Sequence, residues 1–568
     1  MAYFLRQNKR AKGVYLQICE TTYNRETRRS SNRSCRVLGY VEDLRKEHDD
    51  PIAYYGGLVK EMNAALKEER ALKVSSERPS RNVGYFLLRA MVNELGVRRD
   101  LDLMGAGAKF EKGISDFVET MVYCQAIRPS SKAKNAQDTI PYLYGAPGFS
   151  EDQIYRMVNF VGSNYKKYIQ LFNKHISDRF ARSYGNLYFD CTNYYFEIDL
   201  AGGDRQKGPS KENRKEPIIG QALLLDGNRI PLNMEMYPGN KSERPYIRKL
   251  IEEMKEKANV AGRTIQVADK GLNCAQNIYA ATKEANDGYV FSKSVHGKNL
   301  SAAEKRWVLL EDGDANRWHE VRDARGALLY KYKSCVDEFG YEFAGPDGTK
   351  TSFRQREKRV VSYNPALAKK QIAEINRQVD KAVKLNSIKG IKRSEYGDAV
   401  KYVDFSTTAE GAEIVSCLNQ ERIKEDKAFA GYNLIVTSEA GLDAKEIYDI
   451  YHGLWRIEES FRILKSCLEA RPVYLQTRES IHGHFLICYL SLLLLRLLEF
   501  YVFDNELSAF DLIRFMREFV VTKTGDSYLS NILDSPVLRK VKEKTQIATL
   551  DNLYLSERNL KRMLEFEF

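Results

Sequence analysis

Alternation and helical spacing divide the chain before any single residue is singled out. Val14-Tyr15-Leu16-Gln17-Ile18 alternates, and Cys35-Arg36-Val37-Leu38-Gly39-Tyr40 follows it. The pattern predicts two strands joined by a basic, Ser/Asn-rich turn. From about Val83 to Arg182 the period turns helical, with Phe86, Leu87, Ala90, Met91 and Leu95, then Phe117, Val118, Met121 and Val122, recurring every three to five residues. Pro129-Ser130-Ser131-Lys132 interrupts that run with residues suited to a helix start or a phosphate contact, and Ser150-Glu151-Asp152-Gln153 reads as a capping-box start.

At Asn186 the period changes to strands: Leu187–Phe196, Ile218–Leu225, an Asp226-Gly227 turn, and Ile230–Tyr237. An amphipathic helix, Arg244–Ala258, follows with Ile247, Leu250, Ile251 and Met254 on one face, and then a short strand, Thr264–Ala268, that ends at Asp269. Three strands, a helix and a further strand is the order of an RNase H-like core. A helical stretch leads on to Tyr289-Val290-Phe291. Lys298–Glu439 then mixes strands, turns and a charged helix near Pro365–Leu385 before the helical period returns in Asp443–Leu468, around His484–Val502 and in a mixed-charge tail to Phe568. The expected fold class is α/β, an RNase H-like mixed-sheet core with a β-rich insertion, preceded by a helical domain. Boundaries are expected at 1–80 (basic, strand-containing), 81–183 (helical), 184–297 (first part of the core), 298–439 (insertion), 440–505 (rest of the core) and 506–568 (C-terminal helical region).

Composition narrows what such a fold serves. The chain has 568 residues, 43% apolar and 29% charged, which excludes collagen-like, coiled-coil and wholly disordered classes. Lys and Arg total 89 against 77 Asp and Glu, a net charge of +12, which favours a polyanionic partner, nucleic acid ahead of an anionic membrane. More than half of that excess lies in residues 1–40, where Arg6, Lys9, Arg10, Lys12, Arg25, Arg28, Arg29, Arg33 and Arg36 face only Glu20 and Glu26. A solvated hairpin face is the plain alternative to phosphate contact there. Nine cysteines without a CxxC pair read as reduced thiols, and the N-terminus lacks a signal-like apolar stretch, so a cytoplasmic protein is expected. The one membrane suspect has a charge-free core of only eleven residues, Phe485–Leu495, against the roughly 20 needed to span, and reads as a buried helix; no membrane partner is expected.

The chemistry concentrates in a few acids. Asp190 sits inside an otherwise apolar, aromatic strand and Asp269 ends another, positions that aspartate disfavours. In Asp443–Leu468, Ile447, Ile450, Leu454, Ile457, Phe461 and Leu464 form an apolar stripe, while Tyr451, Glu458 and Lys465 fall seven apart on a second edge, with Trp455 and Arg462 between them. Taken alone that edge is an ordinary solvated helix face. Together, two strand carboxylates and one from a packed helix would converge on divalent cations through hard oxygen ligands, and two such ions can activate a water or 3′-hydroxyl and stabilise the leaving oxygen of a phosphodiester. Glu459 is the rival third ligand, rotated by about 100° from the Glu458 edge. His482 and His484 do not share a helix face and have no third ligand nearby, and there is neither a phosphate-binding GxxxxGK[ST] loop nor a Gly-x-Ser-x-Gly elbow.

These residues resemble the DDE transposases of bacterial insertion sequences, in particular the group with a Tyr-x-x-Arg-x-x-x-Glu-x-x-x-x-x-x-Lys signature and a β-rich insertion in the RNase H-like core. Asp190 in Phe-Asp-x-Thr, Asp269 in Val-Ala-Asp-Lys-Gly and Glu458 in Trp-Arg-Ile-Glu-Glu match the catalytic, metal-holding acids, and Pro238-Gly239-Asn240 also fits the group. Leu454 stands where the signature arginine would fall, leaving Arg456 or Arg462 for its phosphate contact. The resemblance implies Mg²⁺, as two ions with Mn²⁺ able to substitute. It also implies DNA contacts from Tyr451, Lys465, Asn240 and Lys270, and a homodimer on double-stranded DNA that binds terminal inverted repeats, cleaves at the ends and transfers 3′-hydroxyls to target DNA. In such proteins the insertion contacts end DNA, and Trp307, Trp318, Phe429 and Tyr432 are its aromatic candidates for holding a flipped base, each also a natural packing residue. Two other outcomes remain open: a binding-only regulator that keeps the fold, and a metal-dependent nuclease without strand transfer.

Overall fold

The computed structural model describes residues 2–24, 29–72, 79–212, 215–258, 262–296, 300–310, 317–345, 347–386, 393–407 and 414–568. The chain divides into two compact units, Met1–Ser80 with Thr522–Leu529, and Arg81–Val521 with Ser530–Phe568.

In the first unit the alternating segments form three antiparallel strands, β1 (Ala2–Arg10), β2 (Gly13–Asn24) and β3 (Arg29–Tyr40), followed by helix α1 (Pro51–Leu72). The sequence pattern anticipates the second and third; β1 is missed because its polar and basic residues hide the period. Leu16, Val41, Leu44 and Tyr55 form the small core, while Arg6, Lys9, Arg10, Lys12, Arg33 and Arg36 lie on the surface. Arg25 and Arg28 lie outside the described residues.

The second unit begins with the expected helices, α2 (Phe86–Leu95), α3 (Arg98–Gly105), α4 (Ile114–Ile127), α5 (Glu151–Ser163) and α6 (Tyr165–Arg179). Ser150 caps α5 in a full capping box with Gln153. Strands β4 (Asn186–Tyr195), β5 (Ile218–Leu225) and β6 (Pro231–Pro238) then form an antiparallel meander, and α7 (Arg244–Ala258) leads to β7 (Ile265–Ala268) and β8 (Gly288–Lys293), both parallel to β4. The resulting order, β6-β5-β4-β7-β8, is that of an RNase H-like sheet. Ile247, Leu250, Ile251 and Met254 of α7 are buried on it, as their spacing requires. At the β5–β6 turn Asp226 accepts from the Ile230 backbone N–H at 2.9 Å and pairs with Arg182 at 2.9 Å, both side chains almost wholly buried.

The insertion is not a separate β domain. Beyond the short helix α8 (Ala302–Leu309), strands β9 (His319–Arg322), β10 (Leu328–Ala344) and β11 (Lys350–Tyr363) continue the core sheet. They join it through β14 (Tyr432–Thr437), which pairs antiparallel with both β11 and β8, giving nine strands in one sheet. The free edge of β8 supplies the unpaired backbone groups on which the extension builds. Among the described residues of this region, only β12 (Val403–Thr407) and β13 (Ile414–Leu418), between α9 (Pro365–Asn386) and α10 (Gln420–Ala428), form a small sheet of their own. The C-terminal stretch, expected to be helical, also holds short strands at Val520–Thr524 and Ser527–Ser530.

The apolar segment forms α13 (Arg478–Leu497) after the paired helices α11 (Ala444–His452) and α12 (Trp455–Arg462). Every residue of α13 from Ser480 to Leu497 is buried, so its hydrophobicity serves the protein core. It crosses α5 at two glycines: a Cβ on Gly162 would fall 1.7 Å from the Glu479 carbonyl oxygen, and one on Gly483 2.2 Å from that of Val158. Gly162→Ala should therefore force the helices apart and cost about 3 kcal/mol, read as a lowered denaturation midpoint; unchanged stability would contradict this contact.

Candidate active site

Register places the first two acids. β4 pairs parallel with β7 so that Asn186 faces Ile265 and Phe189 faces Ala268; the next residue of each strand is an aspartate, Asp190 and Asp269. Phe189 and Ala268 are fully buried beneath them. Third comes Glu458 on α12, which lies against β4. Close packing brings this helix in: a Cβ on Gly453, at the α11–α12 junction, would lie 2.5 Å from the Tyr188 hydroxyl.

The segment carrying Tyr451, Glu458 and Lys465 is not one continuous helix. It breaks between α11 and α12, and Ile463–Cys467 is a π-helical turn, whose wider winding redirects Lys465. Tyr451 accordingly turns inward and donates its hydroxyl to Asp269 Oδ1 at 3.0 Å. Lys465 pairs with Glu212 at 3.0 Å, which Arg471 also engages. Arg456 is held by Glu459 at 2.9 Å and Glu499 at 3.0 Å, and Arg496 pairs with Glu459 at 3.0 Å and with Glu499. Glu459 thus serves a buried ion-pair network, leaving its neighbour Glu458 as the acid on the exposed side of the helix. Leu454 is buried in the core, while Arg462 is largely exposed beside the Phe510 ring. Asn240 and Lys270 are also exposed. Gly239 before Asn240 is required, since a Cβ there would sit 2.2 Å from the Ile218 carbonyl oxygen.

Two residues absent from the sequence reading complete the site. Lys211, in the charged loop between β4 and β5, reaches Asp190 at 3.7 Å and Glu243 at 3.4 Å and donates to the Cys191 carbonyl. Its signal was a lysine in a loop that returns toward the strand bearing Asp190. Glu243 precedes α7 and adds a fourth carboxylate.

Two of these acids, Asp190 and Glu458, hold their protons unusually well. Burial, then Glu243 and Asp269, pushes the Asp190 carboxyl up to about 6 against the pull of Lys211. Burial and Asp269 likewise raise Glu458, whose charge no cation answers among the described residues. Burial raises the Tyr451 hydroxyl well above its ordinary value, reinforced by Asp269, so it remains a donor. Among the described residues no three His, Cys, Asp or Glu side chains are close enough to form a closed metal site. The donor chemistry nevertheless fits a divalent cation: three hard carboxylates, two with raised proton affinity, gain from a doubly positive charge placed between them. His484 fits no such role; burial holds it down to about 3, it contacts the Ala470 carbonyl at 3.1 Å, and His482 lies 3.4 Å from Asp204. The insertion aromatics are packed: Phe429 is buried, and Trp307, Trp318 and Tyr432 lie against the core.

A family profile, "Transposase DDE domain", matches residues 196–494, more than half of the chain. The chain belongs to this transposase DDE family. The matched segment contains Asp269 and Glu458, and Asp190 lies just before it. Among solved structures, a piggyBac transposase synaptic complex with hairpin DNA is similar over 84% of each chain at 10% identity, with a TM-score of 0.36. No curated protein matches the chain.

Because Asp190 titrates near 6 when folded and near 4 when unfolded, it favours the fold at low pH, and that contribution is lost as pH rises through about 6. Asp190→Asn should be more stable than the native chain by about 1–3 kcal/mol at about pH 8 in chelator and equally stable near pH 4, by thermal melting. Identical melting at both pH values would contradict a desolvated, repelled carboxylate.

Proposed function

We propose that this DDE-family transposase binds the terminal inverted repeats of its own mobile element, cleaves DNA at those ends and joins the freed 3′-hydroxyls to target DNA. The observation that carries this reading is the register that sets Asp190, inside β4, beside Asp269, just after the parallel strand β7, with Glu458 of α12 close enough to Asp269 to feel its charge. Asp190, Asp269 and Glu458 would hold two Mg²⁺ ions, with Mn²⁺ as a substitute, and the metal would supply Lewis-acid activation of the attacking oxygen and stabilisation of the leaving one.

The protein's own groups prepare that chemistry. The Tyr451 hydroxyl fixes the orientation of Asp269 through their hydrogen bond. Lys211 offsets part of the mutual repulsion of Asp190 and Glu243, letting four acids share one region of the fold. The exposed Arg462, Lys270 and Asn240 are available to DNA phosphates, whereas Arg456 and Lys465 are already committed to protein carboxylates. Exposed cations on β1–β3 would add salt-sensitive affinity, and a homodimer would bring two ends together.

The test pairs two adjacent substitutions in Mg²⁺-dependent cleavage of DNA carrying the element's terminal repeats. Glu458→Gln should bind ends normally but cleave roughly a hundredfold or more slowly, since losing a metal-holding oxygen forfeits several kcal/mol. Glu459→Gln should lower stability by about 3 kcal/mol by breaking the buried network, without a comparable loss of rate in the folded fraction. The opposite pattern would assign the third acid to Glu459, and equal cleavage by all three proteins would overturn the reading.

A further inference from the structure

A cavity of about 400 Å³ lies between the start of the Lys132 turn and the loop after the π-helical segment. Lys132, Lys134, Arg471, Ser130 and Tyr474 line it, with Glu469 as its carboxylate. Lys132 is the informative residue, because its side chain is buried with the residue only 4% exposed, yet its Nζ has no hydrogen-bond partner. Its electrostatic neighbours are the Cys124 and Cys488 thiols, while the nearby His484 imidazole is neutral at physiological pH. An unpaired buried ammonium is costly, and a bound anion would remove that cost.

Ion pairs lead from the cavity wall toward the candidate active site. Arg471, on its wall, shares Glu212 with Lys465, and the adjacent Lys211 contacts Asp190. At its rim Tyr474 is 67% exposed, an aromatic face open to a planar ligand. Cations flanked by an exposed aromatic are the combination that binds single nucleic-acid strands, phosphate on the charges and base on the ring.

We propose that this cavity is a phosphate-binding subsite that takes a backbone phosphate of an unpaired DNA strand leaving the active site, with Lys132 as its buried anchor and Tyr474 stacking on the attached base. The identity of the ligand rests on the transposase reading; the anion site itself rests on Lys132. Lys132→Met keeps the shape of the side chain and removes the unpaired charge, so the variant should fold and melt no lower than the native chain.

Two measurements on the full-length chain test the subsite. Pyrophosphate, compared with chloride at matched ionic strength, should raise the melting temperature of the native chain and leave that of Lys132→Met unmoved. A short single-stranded oligodeoxynucleotide should bind Lys132→Met and Tyr474→Ala each about tenfold more weakly, with the salt dependence of Lys132→Met reduced by about one phosphate contact. Pyrophosphate protection without any change in oligonucleotide affinity would overturn the DNA assignment in favour of a free-phosphate site. No difference between native and Lys132→Met in either measurement would overturn the subsite altogether. Neither readout involves cleavage, so failure here and failure of the transposase reading are separable.

Discussion

Parallel pairing of β4 with β7 is the constraint on which the rest depends. With Phe189 opposite Ala268, both buried, the register brings Asp190, in the middle of β4, beside Asp269, the residue that follows β7. A one-residue slip would turn the aspartates away and bring apolar side chains into the opening. The antiparallel β4–β6 meander, the crossover helix α7 and the α5–α13 crossing stabilise that register, and the insertion strands extend it on the far side. The fold thus buries like charges near one another, and the raised proton affinity of Asp190 and Glu458 reflects burial first and the neighbouring carboxylates second.

Charge is divided on α12 between two adjacent glutamates. Glu459, with Glu499, neutralises Arg456 and Arg496 behind the helix, and this network anchors α12 to α13. Glu458, one position earlier and about 100° away, has no cationic partner among the described residues. Fixing one acid with arginines leaves the other uncompensated, which suits the metal-holding role proposed for Glu458. Lys211 and Tyr451 tune the two aspartates by a salt bridge and a hydrogen bond, from a loop and a helix that need not move with the sheet.

Much of this was legible in the sequence because the responsible signals are local. The buried face of α7, the Asp226 turn, the Ser150 cap and the odd placement of aspartates in apolar strands all show in short windows. What escaped depends on contacts distant in sequence. Nothing in the run 319–363 announces that its strands extend an existing sheet, because β14, which joins them to β8, lies some 70 residues later. The seven-residue spacing from Tyr451 to Lys465 suggested one straight edge; the Gly453 approach to Tyr188 and the π-helical turn break it, and they send Tyr451 to Asp269 and Lys465 to Glu212. Arg456 and Arg462 looked equivalent by spacing, and both reach Glu459; the additional pairing of Arg456 with Glu499, distant in sequence, commits it to the interior while Arg462 stays largely exposed.

In the proposed function Asp190, Asp269 and Glu458, brought from the sheet and a helix, hold divalent cations together. Calorimetric titration of Mn²⁺ into the full-length chain addresses it without requiring knowledge of the DNA ends. The account predicts saturable binding that weakens at least about tenfold in Asp190→Asn and also in Glu458→Gln, since each removes one of three shared carboxylates. Isotherms identical to that of the native chain in both variants would contradict it.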